Sequence, residues 1–260
     1  MRRLIPFILL LVIVSSCKYE KLLKSRDYKL KYQKALEYYA EEDYMRAEGL
    51  FEQLKPILKG TKQADTVFFY AAYANYYQKS YLLASHYFSE FRKTFGNSPF
   101  VQEAEYMNAY CTYLMSPKPS LDQQFTYQAI SLFGLYLSRY PNSDKTDECL
   151  RYIDELKNKL VEKSYQSAKL YFNLGDYKAA IIALNNSLDE FPQTKYREEI
   201  MYLILRAKYL LADYSIESKK VERFQSAVDE YYAFVAEFPE SDYKKEALGM
   251  FNNAQDILKN

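Results

Sequence analysis

One short pattern recurs four times along the 260-residue chain and governs what it can fold into. It reads Tyr140-Pro141-Asn142-Ser143, Phe191-Pro192-Gln193-Thr194 and Phe238-Pro239-Glu240-Ser241, with a variant at Phe95-Gly96-Asn97-Ser98. An alanine stands eleven residues before each aromatic, at Ala84, Ala129, Ala180 and Ala227. A fixed offset repeated at this interval marks one supersecondary unit copied along the chain. The aromatic closes an apolar helix face. Proline, which has no amide proton, ends the helix and pushes the residue before it out of helical geometry. Ser or Thr then offers an oxygen to the free amides of the next helix. Acids at Asp144, Asp147, Glu198, Glu199 and Asp242 follow where the helix dipole favours them. In the variant, Gly96 is the stop, Ser98 the cap and Pro99 the first helical residue. Each copy says that one helix ends and another begins.

A second signature falls inside the units. Tyr44-x-x-Ala47 returns as Tyr81-x-x-Ala84 and Tyr177-x-x-Ala180, and less purely as Phe224-x-x-Ala227; in the third unit Thr126 stands three before Ala129. The five alanines are 37, 45, 51 and 47 residues apart, and a large apolar residue follows four later each time: Phe51, Phe88, Phe133, Leu184, Tyr231. Only 6 Gly and 8 Pro against 29 Tyr argue for long helices with thick aromatic seams. The periodicity predicts first helices over 30–41, 63–78, 100–115, 144–174 and 194–214. Second helices are expected over 44–58, 81–95, 123–140, 177–191 and 218–238, and a terminal capping helix over 241–258 with Ala247, Leu248, Phe251, Ala254 and Leu258 on one face. The long segment 144–174 keeps an apolar face throughout (Leu150, Ile153, Leu156, Leu160, Val161, Tyr165, Ala168, Tyr171, Phe172) and is expected to serve two neighbouring units. Residues 116–120 read as a loop and 214–222 as a looser polar connection. The fold class is therefore all-α: a right-handed α-solenoid of about five helix pairs plus a C-terminal cap.

Residues 1–16 carry Arg2 and Arg3 ahead of an apolar run from Leu4 to Val14, too short to span a bilayer and right for a secretory signal. Val14-Ser15-Ser16-Cys17 resembles the bacterial lipobox, which implies cleavage before Cys17 and lipidation of that residue. The alternatives are an ordinary signal peptide with an incidental cysteine and a retained membrane helix. Lys18 after the cysteine, in place of Asp, points by the usual sorting rule to the outer membrane. Residues 17–29, charged and without a strong apolar face, read as a lipid-anchored tether. Formal net charge is +1, and −1 once residues 1–16 are set aside, so nothing suggests a nucleic-acid partner. Cys111 and Cys149 form no CxxC; they read as buried thiols, with a disulfide between them the alternative.

Chemistry-bearing motifs are missing from the sequence. No GxSxG, HExxH, GxGxxG or P-loop is present, so neither an enzyme nor a cofactor is expected. The single histidine, His86, lies among Tyr87, Phe88 and Phe91 without further metal ligands nearby, and reads as a packed or edge residue. Glu41-Glu42-Asp43 reads as a solvated polar turn.

Gly175-Asp176-Tyr177-x-x-Ala180 resembles the tetratricopeptide repeat. The lipobox, five repeats, and the ordered run from Tyr140-Pro141-Asn142-Ser143 through Tyr165-x-x-Ala168-x-x-Tyr171 to Phe191-Pro192 resemble more specifically the BamD family. These are the lipoproteins of the outer-membrane β-barrel assembly (BAM) complex. Near the end of the first unit Leu54-Lys55-Pro56 stands where that family's Tyr-Pro is expected. The resemblance implies a lipid-anchored scaffold on the periplasmic face of the outer membrane. Its C-terminal repeats (116–260) would dock the POTRA domains of the barrel-forming subunit. Its N-terminal repeats (30–115) would receive unfolded outer-membrane proteins. First helices of such arrays line the concave face, which makes Tyr38, Tyr39, Tyr70, Tyr73, Tyr77, Tyr106 and Tyr110, with Tyr76 and Tyr113, candidates for a peptide-binding groove; the alternative is that they pack between helices. Rival functions are another periplasmic repeat lipoprotein scaffolding a cell-envelope complex, and a glycan-binding surface lipoprotein, which the lack of Trp disfavours.

Overall fold

The computed structural model describes residues 18–259, so the lipidation expected at Cys17 and the leader before it lie outside the described residues. The described chain is helical, with no strand. After a helical segment over residues 18–24 (α1) come α2 (Tyr28–Ala40), α3 (Tyr44–Leu58), α4 (Ala64–Tyr77), α5 (Tyr81–Thr94), α6 (Val101–Leu114) and α7 (Gln124–Arg139). Then follow α8 (Thr146–Asn173), α9 (Tyr177–Glu190), α10 (Arg197–Asp213), α11 (Glu217–Glu237) and α12 (Lys244–Lys259). They pair as tetratricopeptide repeats do, α2 with α3, α4 with α5, α6 with α7 and α10 with α11. Ala47, Ala84, Ala129 and Ala180 are completely buried, and Ala227 almost so. Phe51, Phe88, Phe133 and Leu184, one turn on, are equally inaccessible.

The four recurring corners share one geometry. The amides of Ser98, Ser143, Thr194 and Ser241 donate to the carbonyls of Phe95, Tyr140, Phe191 and Phe238, three residues back. Their hydroxyls accept from the amides two residues on, at Phe100, Lys145, Tyr196 and Tyr243, over 3.3, 3.1, 3.2 and 3.0 Å. The Ser or Thr thus heads a separate tight turn, and the helix proper starts three residues later. Pro99, Asp144 and Asp242 consequently sit in that turn and not in the helix. The dipole is met instead by Asp147 and Glu148 in α8, Glu198 and Glu199 in α10, and Glu246 in α12.

Turns inside the pairs use a different device. Glu42, Lys79 and Gly175 all take a left-handed backbone, with φ of 61°, 61° and 80°. Each is followed by the N-cap residue of the next helix, and at Asp43 and Asp176 the carboxylate caps it by accepting from Arg46 N and Ala179 N. Glycine adopts that backbone without penalty, whereas Glu and Lys meet a clash between Cβ and the carbonyl.

Other expectations are revised. The segment assigned to a tether is folded from residue 18: Tyr19, Leu22 and Leu23 of α1 pack on the core of the first repeat. The loose connection after α10 is only three residues, 214–216, before α11 begins. On α8, Leu150 points to solvent while Cys149 and Tyr152 are buried, because the buried stripe is one residue out of phase with the expected one at its start; Tyr171, near the other end, is exposed as well. Leu248 of α12 is likewise exposed.

The chain divides into two compact units, and not at residue 116. Unit 1 runs to Pro117 and takes in Gln123–Leu156; unit 2 comprises Lys118–Asp122 and the chain from Lys157. Unit 1 has two cores. Ala35, Leu50, Phe51, Leu54 and Val67 build the first, and Phe88, Phe91, Met107, Phe133 and Leu156 belong to the second. In unit 2, Ile200, Leu203 and Ile204 of α10 pack against Leu184 and Tyr165, while Phe234 and Ala247 close the C-terminal end.

The left-handed positions give a direct test. Lys79→Gly should raise stability in thermal or urea unfolding by about 0.5 kcal/mol, and Gly175→Ala should lower it by about 1 kcal/mol even though nothing beyond the adjoining backbone lies within 4 Å of the added methyl.

Candidate functional site: a tyrosine face on the first helices of unit 1

The tyrosines singled out from sequence lie on α2, α4 and α6, and the fold links most of them ring to ring. Tyr39 meets Tyr70 edge-on at 4.7 Å and Tyr44 at 5.5 Å, and Tyr44 stacks on Tyr77 at 4.5 Å. Tyr77 lies 5.2 Å from Tyr76 and 6.0 Å from Tyr73. Tyr76 reaches Tyr110 of the next repeat at 6.2 Å, and Tyr110 stacks with Tyr106 and Tyr113, both at 5.9 Å. Tyr152 of α8 ends the row, 4.4 Å from Tyr113. Tyr38 stands apart from this row and packs edge-on against Tyr19 of α1 at 5.8 Å. Each edge-to-face or offset pair adds roughly 0.5–1.5 kcal/mol beyond the area it buries.

Availability differs along the row. Tyr77 is 45% exposed, Tyr38, Tyr39, Tyr70, Tyr73 and Tyr110 are half-buried, and Tyr106 is buried. Tyr106 therefore supports the face from behind.

The hydroxyls follow a rule that sequence reasoning missed. Tyr73 donates to Glu103 at 2.5 Å, Tyr106 to Glu148 at 2.9 Å and Tyr113 to Glu155 at 2.6 Å. Each time a tyrosine on one first helix reaches a glutamate on the next first helix, 30 or 42 residues on. Tyr152 adds a second donor to Glu148 at 2.9 Å. Unit 2 repeats the device, with Tyr202 donating to Glu246, and Lys169 bridging Tyr165 and Glu199 at 2.7 Å each. Part of the signal lies in the sequence: Glu103, Glu148, Glu199 and Glu246 each stand five residues after a corner Ser or Thr, but the tyrosines that pair with glutamates sit at differing places along their helices.

Burial, and then the hydrogen bond to Glu103, raises the pKa of Tyr73; Tyr106 and Tyr152 are raised by burial and then by Glu148. Tyr76 and Tyr113 are pushed up to about 12, in both cases mainly by burial. The phenols stay neutral donors throughout the physiological range. Burial alone would raise Glu148, but the hydroxyls of Tyr152 and Tyr106, with Lys145 and Arg151, outweigh it and hold the carboxyl below its usual value. Glu199 is lowered the same way, by Lys169 and Tyr165 against burial.

The remaining candidates carry no reactive geometry. Cys111 and Cys149 are buried free thiols, pushed up to about 12 and about 11 by burial. His86 is exposed beside Tyr87. Among the described residues no three His, Cys, Asp or Glu side chains are grouped to hold a metal ion, and no helix is long and apolar enough to cross a membrane. A buried carboxylate unremarked in the sequence, Glu105 of α6, receives Arg92 and Arg139, and Tyr140 of the corner motif donates to it at 3.3 Å. Fully partnered in this way, it ties the second helices α5 and α7 to the first helix between them.

Glu148 and Glu199 set a pH dependence. A carboxyl whose folded pKa is depressed contributes stability above its unfolded value, about 4.3 for Glu, and loses it as pH falls through the folded value. The midpoint of urea unfolding should thus decline as pH drops below about 4.3. Glu148→Gln should lose about 1 kcal/mol at pH 7 and show a shallower acid decline.

The chain matches the YfiO family, described as "Outer membrane lipoprotein", over residues 25–223. It is 25% identical over 148 residues to "Outer membrane protein assembly factor BamD" of Caulobacter vibrioides, a stretch covering 57% of this chain and 48% of that relative. The matched region thus spans about half the length of that protein. A solved structure, "TPR2AB-domain:pHSP90-complex of yeast Sti1", is similar over 88% of this chain and 98% of its own, at 13% identity and a TM-score of 0.40. The match from residue 25 to residue 223 takes in the tyrosine face, its glutamates and three of the four corners, and the chain belongs to the YfiO family of outer membrane lipoproteins.

Proposed function

We propose that this lipoprotein is a scaffold and substrate adaptor of the β-barrel assembly machinery. It is anchored through lipid at Cys17 on the periplasmic face of the outer membrane. Unit 1 receives unfolded outer-membrane proteins on its tyrosine face, and unit 2 docks the POTRA domains of the barrel-forming subunit. The observation that carries the reading is the continuous tyrosine row of unit 1 in a chain of this family. Because the hydroxyls of Tyr73, Tyr106 and Tyr113 are already bound to glutamates, the face offers ring edges and faces to an extended peptide. That suits aromatic side chains, which bring large area at low entropic cost. Affinity per contact is modest, and the gain comes from raising the local concentration of substrate near the insertase. The mechanism is binding, without covalent chemistry. On unit 2, Leu174, Tyr214 and Ile216 form an exposed apolar stretch at the turns of two successive pairs, with Tyr214 stacked on Tyr177 at 6.1 Å.

Tyr77→Ala with Tyr110→Ala should weaken binding of a C-terminal outer-membrane-protein peptide about ten-fold in fluorescence anisotropy, with far-UV helicity unchanged. Unchanged affinity would remove the tyrosine face from the reading. Leu174→Glu with Tyr214→Glu should abolish co-purification of a POTRA-bearing barrel protein; undiminished co-purification places that docking surface elsewhere.

A further inference from the structure

We infer that the edge of unit 1 carrying the turns inside its helix pairs lies against the membrane surface, with Met45, Leu82 and Leu83 in contact with lipid. The starting point is where the described chain begins. Lys18, Lys21, Leu22 and Ser25 of the N-terminal segment line one cleft with Glu41, Tyr38, Lys34, Glu37 and Leu30. Tyr19 packs on Tyr38 while Leu23 accepts from Lys31, so residues 18–24 run antiparallel to α2, and Lys18 shares the cleft with Glu41 beside the α2–α3 turn. Cys17 immediately precedes Lys18 in the sequence, so an anchor borne there would be delivered to this edge.

The exit point is held rigidly. Tyr19 donates its hydroxyl to the Arg46 carbonyl at 3.1 Å, over Gly49, where an added Cβ would come within 2.5 Å of that hydroxyl. Lys31, buried, donates to the Leu23 carbonyl at 2.8 Å and to Gln53 at 2.6 Å, fastening the other end of α1.

The same edge continues into the next two repeats. Gln78 donates to the Tyr44 carbonyl at 3.4 Å, and the Tyr44 and Tyr77 rings stack, so the α2–α3 and α4–α5 turns are neighbours. Met115, at the end of α6, closes an open apolar cleft of about 690 Å³ with Lys79, Tyr81, Leu82, Leu83 and His86. Large aliphatic side chains lie bare along this line: Met45 is 74% exposed, Leu82 65% and Leu83 40%. Lys18, Lys21 and Lys79 flank them, with Glu41 and Glu42 of opposite sign between, so shallow apolar contact and not charge attraction is the expected mode. A surface lipid is the occupant that the anchor itself delivers to this edge; a protein partner would need to reach it beneath the anchored chain. The inference rests on reading Cys17 as the lipid-bearing residue.

The test uses the full mature lipoprotein on vesicles of phosphatidylethanolamine and phosphatidylglycerol. Single cysteines are introduced by Met45→Cys or Leu82→Cys on this edge, and by Asn97→Cys or Asn142→Cys at the corners between repeats, and each is labelled with an environment-sensitive dye. Cys111 and Cys149, completely buried, are shielded from the label. Nitroxide-bearing lipid should quench the dye at 45 and 82 at least five-fold more than at 97 and 142. Equal quenching at both edges, or none at 45 and 82 on protein that floats with the vesicles, overturns the edge contact while leaving the anchor intact. Absence of acyl mass on Cys17 in intact-mass analysis of the mature protein refutes the anchor reading separately.

Discussion

Two helices can pack closely where side chains stop at Cβ, and each pair carries one such buried alanine at the same place on its second helix. Ala47, Ala84, Ala129, Ala180 and Ala227 are all buried, and everything else in the repeat is arranged around them. The large residue one turn later fills the space that the close approach leaves, at Phe51, Phe88, Phe133 and Leu184. The corner aromatic, eleven residues on, ends the helix. Enlarging any of these alanines would force the pair apart by more than the core can absorb, at a cost of about 1–3 kcal/mol or more. The spacing of the motif is thus a packing constraint written into the chain.

Alanine contacts join helices within and between neighbouring pairs but do not fix how successive first helices align. That alignment is set by the tyrosine hydroxyls. A phenol–carboxylate bond has one ionised partner and is worth about 1.5–3 kcal/mol when well shielded, and it is directional. Tyr73 with Glu103, Tyr106 with Glu148 and Tyr113 with Glu155 hold adjacent first helices of unit 1 at a set distance, which is what lets their rings meet edge to face. In unit 2, Tyr202 with Glu246 does the same. The tyrosines therefore serve two purposes with two parts of one side chain. The tip aligns the scaffold, and the ring makes the surface proposed to receive a peptide.

Helix positions were legible to within a few residues, because Pro, the Ser or Thr after it and the alanine period are local signals. The errors came where a local signal has two structural uses. Ser98, Ser143, Thr194 and Ser241 look locally like helix caps, but a hydroxyl accepting from the amide two residues on equally builds a separate turn, which moves the helix start three residues. Residues 18–24 were read as tether because a seven-residue helix has too few apolar positions to declare a face. Tyr19, Leu22 and Leu23 find their partners only on α2 and α3.

The chain alone determined that this is an all-helical array of about five pairs and where each pair turns, because both depend on residues adjacent in sequence. Which tyrosines face outward, which glutamate each hydroxyl meets, and where residues 18–24 pack were decided only by the tertiary structure. Those contacts join residues 27 to 44 positions apart through repeats of unequal length, and no period in the sequence encodes them.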